Sequence, residues 1–304
     1  MERKEWYTRS ANGNGKIYSV SYRDETIPAK AMIVIVHGMQ SHSGRYIEYA
    51  EKLAKDGFVV FMLDLQGHGR SQNVPGYFGP INGWENLVRD VHRLVLRAKR
   101  WYPELPFFLL GHSMGSFIAR SYVVTYPEDI QGLLLSGTAG FHYHLYAAQA
   151  LIRTEIRMHG GKYPAYNIGR MMAKQFNRYI QDPVNAGAWC CSDPDVCISH
   201  AEDPLGTCFT LRAYDDMLHG LISIRPEQWA AQVPDIPIYL FSGGADPVGD
   251  YGVGPAQVYA YLKSTGHHDV SLRIYPGKRH EMLFETNKAE VMNDVNEWLL
   301  RHLG

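Results

Sequence analysis

Residues 109–118 read LLGHSMGSFI, an apolar stretch interrupted by a serine that stands between two glycines. Gly111, Ser113 and Gly115 form the pattern G-x-S-x-G, which lies between a strand-like run and a helix-like run. In this context the serine sits on a sharp, strained turn that only small neighbours permit. Its hydroxyl then stands clear at the end of the sheet, with the N-terminus of the next helix directed at any oxyanion formed there. The stretch predicts a nucleophile at Ser113.

Strand-like and helix-like runs alternate on both sides of this turn. The predicted strands are AMIVIVHG (31–38), FVVFMLDL (58–65), PFFLLGHS, IQGLLLSGT (130–138), IPIYLFSGGAD (236–246) and VSLRIYPG (270–277). The predicted helices include YIEYAEKLAKDG, residues 84–103, QVYAYLKSTG and KAEVMNDVNEWLLRHL. This alternation predicts an α/β fold with a mostly parallel central sheet flanked by helices. The opening EWYTRSANGNGKIYSVSYRD alternates around a Gly/Asn turn and predicts a β-hairpin.

The alternation fails in one long segment. Residues 141–180 predict two helical pieces, and a stretch rich in Cys, Asp and Pro follows. A structureless loop of this length is uncommon inside a compact domain. We therefore expect an inserted, mainly helical cap at residues 139–211 and one α/β core formed by residues 1–138 and 212–304.

Composition and charge narrow the classes of partner and compartment. The formal net charge is −1, whereas nucleic acids and anionic membranes select basic surfaces, so neither is expected as the main partner. The charged start MERKEWYTRS lacks an apolar signal core, and no apolar run reaches the ~18–20 residues of a membrane span. The expected location is the cytoplasm, and the oligomeric state is left open.

The four cysteines invite a test for a metal site. They are Cys190, Cys191, Cys197 and Cys208. Their spacing lacks the paired CxxC of common zinc modules, and adjacent cysteines point apart. We expect reduced, partly buried thiols and no metal, and the sequence assigns the cluster no role.

A nucleophilic serine needs a base, usually a histidine oriented by a carboxylate. In this fold the chain order is serine, acid, histidine, each after a strand. Asp246 and His280 follow predicted strands in that order. Asp250, on the same loop as Asp246, stays an alternative acid. His267 and His268 precede a strand, lie at its opposite end and are expected to be solvated.

The oxyanion formed during acyl transfer needs two N–H donors. One comes from the residue after the nucleophile, Met114, and the other from the loop after an earlier strand. We assign the second donor to the amide of Met39, in the sequence His37-Gly38-Met39. His112 is expected to pack beneath the turn in a structural role.

Five motifs, in order, resemble one family. They are HGMQSHSGRY, DLQGHGRS, GHSMGS, SGGADPVGD and YPGKRHEMLFE. Together they resemble the α/β-hydrolase family of monoacylglycerol lipases and lysophospholipases, over nearly the whole core. The resemblance implies an α/β-hydrolase fold, a mobile helical cap over an acyl tunnel, and no metal or organic cofactor. It places the nucleophile on Ser113, the acid on Asp246, the base on His280, and the oxyanion amides on Met39 and Met114.

The chain departs from the family where Gln40-Ser41 replaces an acidic residue before His42, and the cap resembles the family less than the core does. Asp64 is expected to fix a tight loop near the site, and Arg45 and Tyr46 to anchor the oxyanion loop. A set of cap side chains has two interpretations, a lipid pocket or the cap's own core. These are Phe141, Tyr143, Tyr146, Met158, Met171 and Met172.

The predicted reaction is hydrolysis of a single-chain carboxylic ester through an acyl-enzyme, with a monoacylglycerol or lysophospholipid as substrate. One alternative is a general short-chain carboxylesterase or thioesterase. Another, from a different class, is a small-molecule receptor that keeps the triad intact. An epoxide hydrolase or haloalkane dehalogenase would need an acidic nucleophile, which Ser113 excludes. The cap is of mixed charge, so contact with a membrane surface would rest on its apolar side chains.

Overall fold

The computed structural model describes residues 1–128 and 130–303, which are organised around one eight-stranded sheet. The strands are β1 Glu2–Arg9, β2 Lys16–Arg23, β3 Ala31–Val36, β4 Phe58–Leu63, β5 Phe107–His112, β6 Gly132–Ser136, β7 Ile238–Gly243 and β8 Val270–Tyr275. The helices are α1 Ile47–Lys55, α2 Gly83–Trp101, α3 Met114–Thr125, α4 His144–His159, α5 Tyr166–Phe176, α6 Pro194–Ala201, α7 Leu211–Ser223, α8 Pro226–Ala230, α9 Val253–Ser264 and α10 Lys288–Arg301.

The strand order is β1-β2-β4-β3-β5-β6-β7-β8. The β1–β2 hairpin is antiparallel and β2 joins β4 antiparallel, while every neighbouring pair from β4 to β8 is parallel. Parallel neighbours all present their carboxyl ends at the same edge, so the loops after β3, β5, β6, β7 and β8 meet there. The predicted hairpin and the predicted mostly parallel α/β sheet are both confirmed.

Strand β3 shows why the centre of the sheet is apolar at every position. Successive side chains of a strand point to opposite faces. Met32 and Val34 join a core under helices such as α2, α3 and α9, whereas Ile33 and Ile35 join a core under α1 and α10. A strand covered on both faces needs no polar alternation, as the unbroken run AMIVIV shows.

The turn between β5 and α3 fits only small residues. Ser113 takes φ 53° and ψ −123°, a backbone conformation that is rare for a residue with a side chain. A Cβ on Gly111 would lie 2.2 Å from the carbonyl oxygen of Gly115, and one on Gly115 would lie 2.1 Å from that of Val36. The two glycines therefore let α3 pass directly over the sheet edge.

The segment between β6 and α7 contains three of the helices and no strand of the sheet, within the described residues. Helix α5 has no buried residue, and only Gln149 and Ile152 are buried in α4. Helix α6 was missed by the sequence prediction of an irregular stretch; Pro194 stands in its first turn and the side chain of Asp193 caps it by accepting from the Asp195 amide. That residues 139–211 act as a cap stays a prediction.

No helix of the described chain is both long and apolar enough to cross a membrane. This finding concerns residues 1–128 and 130–303 alone.

We expect Gly115→Ala to destabilise the protein by about 1–3 kcal/mol or more, because the new methyl group must push backbone atoms apart. Gly169→Ala is the matched control: Gly169 lies inside α5, where the nearest atom to a new Cβ is the Tyr214 hydroxyl at 3.7 Å. Alanine there should leave stability unchanged or raise it by up to ~1 kcal/mol. Urea unfolding measures both, and equal effects would contradict the packing argument at the turn.

Candidate active site

Three side chains from three loops gather at the carboxyl edge of the sheet. Ser113 follows β5, Asp246 follows β7 and His280 follows β8. The Nδ1–H of His280 donates to Asp246 Oδ2 at 2.9 Å. Both partners are buried, with Asp246 fully enclosed.

Asp246 is held from several directions. Its Oδ2 also accepts from the Ser242 hydroxyl at 3.0 Å, and its Oδ1 accepts from the Val248 amide at 2.8 Å. Burial alone would raise the pKa of Asp246, but His280 and these donors outweigh it, so the pKa is lowered. The alternative acid, Asp250, has a 46% exposed side chain and faces His142 at 3.9 Å. The structure thus pairs Asp246, not Asp250, with His280.

His280 is enclosed by rings on two sides. The ring centroids of His112 and Trp189 lie 4.8 Å and 5.2 Å from its own. Burial lowers the pKa of His280, but the charge and hydrogen bond of Asp246 overcome this, and the pKa is raised. Its Nε2 is buried and has no hydrogen-bond partner among the described residues. That nitrogen is therefore free to exchange a proton with a reacting group.

The loop after β3 lies against the serine. A Cβ on Gly38 would come within 2.9 Å of Ser113 Cβ. The next two residues are Met39 and Gln40, and Gln40 has a positive φ of 58°. Met114 is the first residue of α3, so its amide lies among the unpaired donors of that helix N-terminus. Met114 is thus the direct neighbour of Ser113 in the chain, and Met39 follows the glycine that lies against the serine.

His37 fixes this loop in a way that sequence reasoning missed. Its Nε2 accepts from the Leu65 amide at 2.9 Å, which leaves Nδ1–H to donate to the Gly38 carbonyl at 2.8 Å. Burial lowers the pKa of His37 to about 3, so the imidazole is neutral, as both contacts require. A neutral, tautomer-fixed histidine holds the loop beside Ser113.

Asp64 joins the same loop to the segment after β4. It accepts from the amide and hydroxyl of Ser43, at 2.8 Å and 2.6 Å, and from the Arg70 amide at 2.7 Å. This confirms the predicted loop-fixing role of Asp64. Tyr46 is buried, while Arg45 reaches Asp203 of the inserted segment at 3.1 Å.

The three other histidines for which the sequence made a prediction differ in burial. His112 lies under the turn, with Nδ1 3.1 Å from the Ser136 hydroxyl, and burial lowers its pKa to about 3; the structural role expected for it is confirmed. His268 is solvated as expected. The expectation for His267 is wrong: it is buried, 3.1 Å and 3.2 Å from the carbonyls of Leu262 and Val233, because the chain turns inward after α9.

All four cysteines are free thiols, and Cys191 and Cys197 are buried. Burial raises the pKa of Cys191 to about 12. The Cys197 thiol donates to the backbone carbonyl of Cys191 at 3.3 Å. These thiols therefore behave as small packing groups with weak donors.

An NMR titration should give His280 a pKa above the ~6.5 of free histidine. Asp246→Asn removes the counter-charge but keeps the burial, so the protonated ring loses its partner and the pKa should fall below that value. Asp250→Asn, on the same loop, is the control and should leave the titration unchanged. A His280 pKa that is indifferent to Asp246→Asn would contradict the electrostatic assignment.

Comparisons with known proteins agree on the kind of molecule. One family model, Hydrolase_4, described as serine aminopeptidase S33, matches residues 27–287. A monoacylglycerol lipase of Mycolicibacterium smegmatis is 28% identical over 289 residues, covering 94% of this chain and 93% of that protein. A monoglyceride lipase of Rattus norvegicus is 27% identical over 297 residues, covering 96% and 90%.

Solved structures extend the likeness to the whole chain. A thermostable carboxyl esterase from Bacillus coagulans, solved with glycerol, is 31% identical with a TM-score of 0.93, covering 100% of both chains. A lipase in an open form is 26% identical with a TM-score of 0.90, again over 100% of both. The α/β-hydrolase fold of the chain follows from these similarities.

Proposed function

We propose that this chain, which belongs to the Hydrolase_4 family and is a serine ester hydrolase, acts on monoacylglycerols and lysophospholipids. One observation carries the proposal: a buried Asp246–His280 pair stands at the same sheet edge as a serine on a strained turn. The names of the relatives, a monoacylglycerol lipase and a monoglyceride lipase, support the substrate class.

In the proposed mechanism Ser113 is the nucleophile, His280 the base and Asp246 the acid of a triad. His280 Nε2 takes the proton from the serine hydroxyl as its oxygen attacks the ester carbonyl. Asp246 holds the ring in the required tautomer and stabilises its cation. His280 returns the proton to the departing alcohol, and water then repeats the sequence on the acyl-enzyme.

The amides of Met39 and Met114 hold the negative oxygen of the tetrahedral intermediate in this proposal. Loss of one such donor costs roughly 10²–10³-fold in turnover in hydrolases. Two features support the assignment, namely the close approach of Gly38 to Ser113 and the position of Met114 at the start of α3.

Residues 139–211 form the cap in this proposal and receive the acyl chain. Of the six side chains with two interpretations, Tyr143, Tyr146, Met158 and Met171 are exposed, by 78%, 43%, 61% and 66%. Exposed groups do not make a packed cap core, so these four favour contact with lipid over internal packing. Phe141 and Met172 are only half-buried.

Fatty-acid release from 1-monoacylglycerols of increasing chain length is expected to peak at medium or long chains and to vanish in Ser113→Ala. Ser264→Ala, an exposed serine at the end of α9, is the control and should retain activity. Turnover of only the shortest esters would make the chain a general esterase. Preference for an aminoacyl anilide would make it an aminopeptidase.

We further propose that the protein works in the cytoplasm and that the first part of the cap touches membrane surfaces. Within residues 139–180, six cations stand against one acid. The cations are Arg153, Arg157, Lys162, Arg170, Lys174 and Arg178, and the acid is Glu155. Residues 181–211 carry acids and no Lys or Arg. The charge of the cap is mixed when the whole segment is counted, but it separates along the chain into a basic part and an acidic part.

Vesicles should reveal this contact by sedimentation. Neutral vesicles test the apolar contribution, and vesicles with anionic lipid should bind more tightly because each Lys or Arg near the surface contributes about 1 kcal/mol. Anionic vesicles should bind the double variant Arg170→Gln/Lys174→Gln about tenfold or more weakly than they bind the wild-type protein. Lys55→Gln/Arg100→Gln removes two exposed charges of the core as the control, and no sedimentation with either vesicle would end the proposal.

A further inference from the structure

A short part of the inserted segment is fastened to the loop that carries His280. We call residues 188–192 the strap. The Nη1 of Arg279 donates to the carbonyls of Ala188 and Cys191, at 2.7 Å and 2.8 Å. One guanidinium nitrogen thus closes the strap into a bend beside the imidazole.

Two residues that follow His280 in the sequence, Glu281 and Glu285, also fasten the strap. The Glu281 amide donates to the Cys190 carbonyl at 2.7 Å. The carboxylate oxygen Glu285 Oε1 accepts from the amide and hydroxyl of Ser192, both at 2.9 Å, and from the Arg279 amide at 2.8 Å. Glu285 is only 1% exposed, so a buried acid joins the strap to the residue before the histidine.

The strap also delivers a ring to the imidazole. The ring centroid of Trp189 lies 5.2 Å from that of His280, and the ring centroid of Phe176 lies 4.8 Å from that of Trp189. The indole covers one flank of the histidine and keeps water from it. Exclusion of water strengthens the attraction between Asp246 and the imidazolium.

We propose that the strap is a positioning element for His280, with Arg279 and Glu285 as the positioning residues that hold it in place. The proposal rests on the proposed role of His280 as the base. The inserted segment then has two different parts. Helices α4 and α5 are largely exposed, whereas the strap is hydrogen-bonded to the loop that carries His280.

The test substitutes Arg279, which holds the strap, and measures the rate of the reaction at Ser113 with a substrate that has no long acyl chain. Arg279→Met removes the charged donor from both strap carbonyls and leaves them only the weak thiol donor of Cys197. Arg279→Lys keeps an ammonium that can donate to both. Arg100→Met, an exposed arginine of α2, is the matched control. The readouts are kcat and KM for a short soluble ester and the rate at which a fluorophosphonate labels Ser113, each corrected for the folded fraction from circular dichroism.

We expect Arg279→Met to lose roughly 10–100-fold in both kcat and labelling rate, since small misplacements of a reacting group cost this much. KM should change less than about twofold, and Arg279→Lys should recover most of the loss. A rise in KM alone, or rates equal to wild type in the folded fraction, would overturn the proposal.

A second variant keeps the test open if Arg279→Met fails to fold. Trp189 is only half-buried, so Trp189→Ala should fold, lower kcat and labelling, and weaken the far-downfield proton signal of the His280–Asp246 hydrogen bond, while Trp189→Phe keeps them. Unchanged values in Trp189→Ala would overturn the strap proposal alone. Wild-type protein that resists labelling at Ser113 would instead overturn the proposed function.

Discussion

The position of Ser113 depends on a close approach of backbone to backbone. The carbonyls of Val36 and Gly115 occupy the places that methyl groups would take on Gly115 and Gly111. This approach lets α3 begin directly above the edge of the sheet, and it leaves the serine at a positive φ. The strain at one residue is offset by the packing of the whole β5–α3 unit, and the loops after β3, β7 and β8 are placed relative to that unit. A larger residue at either glycine would move the serine away from all of them at once.

Three buried histidines near this edge show what burial alone does and what it does not do. Burial lowers the pKa of His37 and His112 to about 3. Their hydrogen bonds go to the Gly38 carbonyl, the Leu65 amide and the Ser136 hydroxyl rather than to a carboxylate. His280 is as deeply enclosed, yet its pKa is raised, because Asp246 accepts from its Nδ1 at 2.9 Å. The two neutral rings act as fixed hydrogen-bonding and packing groups, while the third can carry a proton. The carboxylate partner, not the degree of burial, separates the two neutral histidines from the one that can carry a proton.

Much of this arrangement could be predicted because it is local in sequence. Continuous apolar runs predicted the central strands and helical spacing predicted most helices, and the serine, acid and histidine fell at strand ends in the expected order. His267 was predicted wrongly because strand position says nothing about a turn that folds the ring back onto α9. The strap was invisible for a similar reason: Arg279 reaches carbonyls 88 and 91 residues away, and no spacing rule relates a cysteine-rich stretch to the loop of a histidine. Helix α6 was hidden because its first turn is made of Asp and Pro, which also mark loops.

The inserted segment has a basic part, residues 139–180, and an acidic part, residues 181–211, and the two parts have different roles in the proposed enzyme. The acidic part contacts side chains of the core: Asp203 lies 2.8 Å from His42 and 3.1 Å from Arg45. Arg45 lies a few residues after Met39, so the acidic part is fastened both to the segment after β3 and, through the strap, to the loop that carries His280. The basic part also contacts this edge, because the Arg178 guanidinium lies over the Tyr251 ring on the loop after β7, but its other cations include three that face solvent, Arg157, Arg170 and Lys174. In the proposed enzyme, this division lets the exposed basic part meet a lipid surface while the hydrogen-bonded acidic part keeps its place beside His280.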